Sequence, residues 1–260
     1  MEILKRRLQG VPPKRRGRLA VEKRGEPGGK RGSTRGRRYT IPKTQAGWPV
    51  RPDPSRGPDP GLTGPAAWGH PAAAGWRRWT ASSWEPRGCL VLITPCSNVK
   101  PYPRSPQSAK IRGALRRLGL WDPRGPGYRG APLGVDWVYL SDLLGLVPYE
   151  AAHRYPACCY EYPPSLLTPR QEGELAEALA GALSRAARRG AVLVAYLPRR
   201  HASILRAALH AASPGPRVEW VPYHLFRGHR ALERALARLA EEASGKGCGD
   251  GGVERGEGGR

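Results

Sequence analysis

Between Cys89 and Tyr223, short apolar runs alternate with amphipathic stretches. The first run, Cys89-Leu90-Val91-Leu92-Ile93-Thr94, lies between Gly88 and Pro95. A short, continuous, β-branched run bounded by breakers predicts a strand buried on both faces, the kind found in parallel sheets. Similar runs follow at Val135–Ser141, Ala191–Leu197 and Val218–Tyr223. Helical spacing separates them. A helix is predicted from about Ser105 to Leu118, with Ile111, Leu115 and Leu118 on one face and Gly119 ending it. Another opens at Thr168, with Glu172 close behind, and ends at Gly190. Two more are expected over about Arg200–Ala212 and Arg230–Ala243, the last with Leu232, Leu236 and Leu239 on one side. Strands alternating with helices predict an α/β protein: a parallel sheet covered on both faces, a three-layer sandwich. Asp142–Pro148 follows the second strand with no element assigned, Tyr155–Pro163 reads as irregular, and no internal repeat is apparent.

Upstream the pattern changes. Residues 1–86 carry no sustained apolar periodicity and are rich in Gly, Pro and Arg. Low hydrophobicity with high net charge is the composition of a disordered segment. The expected organisation is therefore a basic extension over 1–86, an α/β domain over 87–244 and a disordered Gly-rich tail over 245–260. Trp68, Trp76, Trp79 and Trp84, interleaved with Arg77 and Arg78, leave two readings: stacking on bases, or packing on the domain edge.

Charge adds a partner. The 260-residue chain carries a formal net charge of +23, with 44 Lys and Arg against 21 Asp and Glu. Such an excess favours a polyanion, most simply nucleic acid. No run is long and apolar enough to span a bilayer, and no secretory signal is present. The five cysteines are odd in number and include the adjacent pair Cys158-Cys159. That does not resemble a disulfide framework, so a reduced, cytoplasmic protein is expected. Nothing in the sequence calls for a cofactor.

The candidate chemistry lies where strands end, because ligands in open α/β sheets bind beyond the carboxyl ends of the strands. Past Pro95 come Cys96, Ser97, Asn98, Lys100 and Tyr102. A thiolate is a strong nucleophile, and a nearby cation favours it; the alternative for Cys96 is a small buried hydrophobe. A phosphatase loop is excluded, since the position six residues on is Tyr102 and not Arg. No CxxC pair or His cluster at zinc spacing occurs along the chain, so no metal is expected. Asp142, after the second strand, is either an acid/base group or a helix cap. Arg199, Arg200 and His201 follow the third strand at a helix start that suits phosphate; a solvated helix start is the alternative.

Pro95-Cys96, three residues, Lys100-Pro101-Tyr102, two residues, Ser105 resembles the core motif of the archaeal archaeosine synthase family. Asp142–Pro148, Tyr155-Pro156-Ala157 and Tyr160–Pro163 resemble a second stretch of that family, and the likeness spans about Cys89 to Tyr223. It looks like the stand-alone, DUF5591-like domain of the family, without the transglycosylase-like and PUA regions of the full-length enzyme. One position departs: the family's final motif His falls at Ser108. The resemblance implies a uracil-DNA-glycosylase-like fold and tRNA modification, with an amine donor, lysine, added to the nitrile of the base preQ0. It implies tRNA as partner, together with a separate transglycosylase- or PUA-containing protein. Cys96, Lys100 and Asp142 would then be catalytic; Ser97, Tyr102, Ser105 and Ser108 would bind substrate, and Arg199, Arg200 and His201 would bind RNA. A non-catalytic tRNA-binding paralogue is the alternative.

Overall fold

The computed structural model describes residues 59–125, 127, 130–224 and 229–245. A five-stranded sheet is built around β1 (Leu90–Pro95), whose six residues are all buried. Beside it lie β4 (Asp136–Ser141) and β6 (Val192–Ala195), both parallel to it. β7 (Arg217–Trp220) adds a parallel edge next to β6. The other edge departs from the expected all-parallel sheet. β5 (Gly145–Pro148) turns straight back from β4 and pairs with it antiparallel, Ser141 opposite Gly145. The strand order is β5-β4-β1-β6-β7. Gly145 has φ +83°, a left-handed conformation that only glycine adopts without strain. This lets a strand follow a strand over residues to which the sequence assigns no element. A separate two-stranded ribbon pairs β2 (Trp121–Asp122) with β3 (Ala131–Pro132).

Helices cover both faces. α2 (Pro106–Arg117) packs with α5 (His229–Gly245) on one side. On the other, α3 (Pro169–Arg188) packs between α4 (Arg199–Ala211) and α1 (Pro71–Ser82). α3 begins with a complete capping box: the Thr168 hydroxyl accepts from the Gln171 N–H, and the Gln171 side chain accepts from the Thr168 N–H. Its buried stripe is Leu175, Ala176, Leu179, Ala182, Leu183 and Ala186. The expected three layers are present, as a mixed α/β fold with a mostly parallel sheet.

α1 corrects the expected domain boundary. Residues 1–58 of the proposed extension, and 246–260 of the proposed tail, lie outside the described residues. From Asp59 onward, however, the chain is part of the core. Leu62, Ala67, Ala73, Trp76 and Trp84 are all buried. The Trp76 indole N–H donates to the Leu146 carbonyl on β5 at 2.9 Å. Arg77 lies over the Trp68 ring at 3.9 Å and donates to the Leu143 carbonyl at 2.8 Å. Packing on the domain is thus the outcome for these tryptophans. The guanidinium of Arg185, on α3, donates to three carbonyls at the end of α1, those of Thr80, Ala81 and Trp84, at 2.7–2.8 Å. α3 approaches so closely here that a Cβ at Gly181 would collide with the Ala81 carbonyl oxygen. The segment escapes a periodicity search because its buried positions are Ala72, Ala73, Trp76 and Thr80, small or polar apart from one indole.

The cysteines also differ from expectation. The sulfurs of Cys158 and Cys159 are in disulfide contact, whereas the sequence suggests two reduced, packed thiols. Cys96 is the free thiol among the described residues.

Candidate functional site

Three neighbouring parallel strands each bring one side chain to the same edge of the sheet. β1 ends at Pro95, opposite Leu140 of β4. The Cys96 N–H continues the ladder by donating to the Leu140 carbonyl at 2.9 Å. Asp142 directly follows β4, and His201 lies in the first turn of α4, after β6. The Cys96 thiol donates to Asp142 Oδ2 at 3.6 Å. His201 Nε2 lies 3.7 Å from Cys96 Sγ and 3.5 Å from Asp142 Oδ2. Asp142 and His201 are buried, and Cys96 is half-buried at their outer side.

His201 is the residue that sequence reasoning misassigns. Its neighbours Arg199 and Arg200 suggest a solvated helix start and an RNA contact. The structure buries His201 against Cys96 and leaves only Arg199 exposed. Arg200 is half-buried, bonded to Glu172 at 2.8 Å and to the Leu167 carbonyl at 3.0 Å. The usable signal is topological: a residue after β6 stands next to the end of β1.

The remaining motif residues divide into two groups. Lys100 reaches back to the Ser97 carbonyl at 2.5 Å, with its ammonium 4.3 Å from the centre of the Tyr160 ring and 4.9 Å from that of Tyr102. The Tyr102 and Tyr160 hydroxyls bond each other, and Tyr160 continues to Ser141 at 2.8 Å. Ser141 also accepts from the Leu143 and Leu144 N–H groups, so this chain fixes the turn that presents Asp142. The Ser97 hydroxyl accepts from the Val99 N–H at 3.1 Å and shapes the loop. Tyr102 is therefore a buried support for Lys100. Ser105 is the N-cap of α2, accepting from the Ser108 N–H at 3.1 Å, and Ser108 bonds Tyr139 at 3.0 Å. Both serines are buried, and these contacts account for their hydroxyls.

Electrostatics set the resting protonation. Burial, then the Asp142 carboxylate, pushes the Cys96 thiol up to about 12; Lys100 opposes this but does not outweigh it. Burial lowers the Lys100 ammonium, against the pull of Cys96 and Asp142. Burial also lowers His201, against Asp142, so its imidazole is neutral near pH 7. The resting site is a thiol facing a neutral base. Because the thiol's pKa is raised, its thiolate fraction stays low through neutral pH. Alkylation of Cys96 by iodoacetamide, followed by mass spectrometry, is expected to be slow and to keep rising above about pH 9–10, where an ordinary thiol levels off. A plateau near the ordinary thiol value would contradict this electrostatic picture.

Spacing along the chain shows no ligand cluster, yet folding assembles one: Cys96, Asp142 and His201 offer donor atoms within 4.8 Å of one another. A concavity of about 310 Å³ lies at the opposite end of the strands, between Trp84, Arg87, Asp136 and Glu150. Asp136 there accepts from the Arg87 and Gly88 N–H groups, tying down the chain entering β1. None of the motif residues lines it.

One family model and two known proteins are similar to the chain. Residues 74–242 match the family model described as "Domain of unknown function (DUF5591)". The matched span begins inside α1, upstream of the boundary expected from composition. Archaeosine synthase subunit alpha of Thermoplasma acidophilum is 30% identical over 89 residues, covering 34% of this chain and 15% of that protein. AF0587, a protein of unknown function with a crystal structure, superposes with a TM-score of 0.42 at 16% identity, over 65% of this chain and 48% of its own. The chain thus spans a small part of the curated relative it matches.

Proposed function

The chain belongs to the DUF5591 family, as an archaeosine synthase-like domain, and from that membership we propose that it modifies tRNA by adding an amine, lysine, to the nitrile of preQ0. The observation that carries the reading is the meeting of Cys96, Asp142 and His201 beside Lys100. The family resemblance that supplies the nitrile runs through the same loop.

The chemistry follows from the groups present. A nitrile carbon is electrophilic, and Cys96 sulfur adds to it. The thiol proton passes through Asp142 or the neutral His201 imidazole to the former nitrile nitrogen, giving a thioimidate. The amine then adds to the same carbon. The attacking amine gives up one proton, the carbon–sulfur bond breaks, that proton goes to sulfur, and an amidine leaves. Deprotonation in step with attack suits a thiol that burial keeps protonated at rest. The Lys100 ammonium, held by the Ser97 carbonyl and two aromatic faces, stabilises charge on the nitrile nitrogen. We read the fold as uracil-DNA-glycosylase-like, with the base received at the carboxyl edge of the sheet. The net charge of +23 and exposed Arg199 support tRNA as the partner. That the relative is a subunit, archaeosine synthase subunit alpha, supports work alongside a transglycosylase- or PUA-containing protein.

The test is incubation of the chain with preQ0-containing tRNA and lysine, then nucleoside mass spectrometry. A base heavier by one lysine is expected. Tight tRNA binding without this product, in the presence of cell extract as well, would replace the enzyme reading with that of a tRNA-binding subunit.

A further inference from the structure

We propose that Cys96, Asp142 and His201 form a three-ligand site for a zinc-class divalent cation, with a fourth position open toward the half-buried side of Cys96. The three donor atoms form a near-equilateral triangle: Sγ to Nε2 3.7 Å, Sγ to Oδ2 3.6 Å, and Nε2 to Oδ2 3.5 Å. Zinc bonds of about 2.3 Å to sulfur and 2.0–2.1 Å to nitrogen or oxygen, at tetrahedral angles, place ligand atoms roughly 3.3–3.6 Å apart. The observed triangle is one face of such a tetrahedron, to within a few tenths of an ångström. A hydrolase-type relay is arranged differently, because its histidine contacts nucleophile and carboxylate through different ring nitrogens. Here Nε2 faces both groups.

A second, independent observation concerns the same carboxylate. Asp142 is 1% exposed, and its other oxygen, Oδ1, is buried without a hydrogen-bond partner. A buried carboxylate oxygen left unpaired is costly, and a cation removes that cost. The second contacts of the ligands are also of the required kind. The His201 imidazole donates to the Leu140 carbonyl, which fixes the ring. Ser141, next to Asp142, is held by Tyr160 and by two backbone N–H groups.

The donor set selects the metal. One thiolate, one imidazole and one carboxylate suit zinc, and its spectroscopic substitute cobalt, over magnesium or calcium, which take oxygen ligands. Binding forms a metal–sulfur bond and releases the thiol proton to solvent. The ion makes Cys96 a ligand and presents its fourth position to a nitrogen donor. A bound ion takes up the thiol, carboxylate and imidazole that the proposed tRNA reaction uses metal-free, so the site serves one role at a time; the inference does not rest on that reaction, and its test, read on protein alone, can fail without it.

The full chain, reduced and freed of metal by chelation, is titrated with Co²⁺. The expected result is saturation at one equivalent, with a near-ultraviolet sulfur-to-cobalt charge-transfer band and intense visible bands of a tetrahedral ion. Zn²⁺ should bleach both and protect Cys96 from iodoacetamide. Cys96→Ser should lose the charge-transfer band, and Asp142→Asn and His201→Gln should lose stoichiometric binding. The Cys158→Ser/Cys159→Ser variant should keep all of these signals. Thermal melting shows whether each variant is folded. Absence of the charge-transfer band from the wild-type chain overturns the proposal, whatever the variants do. So does its persistence in folded Cys96→Ser.

Discussion

Replacing Cys96 with alanine is expected to lower formation of the lysine adduct on preQ0-containing tRNA by at least about 1,000-fold, the scale of loss when a nucleophile is removed. In the proposed reaction the thiol supplies the covalent step, and no other free thiol stands among the described residues. Its neighbours are arranged around it: Asp142 accepts from it, His201 faces it, and Lys100 sits behind the same loop. Single-turnover assays on the variant and the wild type, with melting curves alongside, are the measurement. Cys96 is half-buried and small, so truncation to alanine should move the melting temperature little and the rate a great deal. Equal product from both proteins would remove Cys96 from the reaction. An equal fall in melting temperature and rate would assign it to packing.

The largest effect on stability is expected from the segment that composition marks as an extension. Deleting residues 1–86 should abolish cooperative folding, whereas a deletion ending at residue 58 leaves α1 and its contacts with α3 and β5 in place. The reason is the depth of Trp76 and Trp84, 2% and 5% exposed. Removing each such indole costs about 3–5 kcal/mol, and a domain has about 5–15 kcal/mol in total. Deletion also takes away the three carbonyls that Arg185 binds and the indole N–H that satisfies Leu146. Trp76→Ala is the gentler version, with an expected loss of about 3–5 kcal/mol in urea titration. A cooperative transition in the chain starting at residue 87, with wild-type midpoint, would show that α1 is dispensable.

The strands and helices with strong periodicity are readable in the sequence almost to the residue. β1 reads as an unbroken apolar run because it is covered on both faces. α3 reads clearly because a capping box starts it and a wide apolar stripe continues through it. Two kinds of element are not legible. β5 owes its place to one positive-φ glycine and to its pairing with β4, and neither leaves a period. α1 buries alanines and a threonine, which carry little hydrophobic signal, and its large contributors are tryptophans that also suit base stacking. In the site, Cys96, Lys100 and Asp142 stand out because loops after strands concentrate chemistry. His201 falls at the right edge but with the wrong expected surroundings, because two arginines precede it. Ser105 and Ser108 look like substrate contacts in the motif; in the fold the Ser105 hydroxyl caps α2 and the Ser108 hydroxyl bonds Tyr139, a neighbour that only folding brings beside it.

The Arg185 fork also fixes an order of events at the ribosome. The carbonyls it binds belong to residues 101 to 105 positions earlier in the chain. α1 therefore emerges long before the side chain that closes its end exists, and before the surface of α3 that Gly181 leaves open to it. Until then it has the local turns of a short helix, which are marginal in water, and its bonds to the Leu143 and Leu146 carbonyls. Closing so long a loop is a late, non-local step. α1 is synthesised first among the α-helices described, and its end is closed only once Arg185 of α3 has been added to the chain.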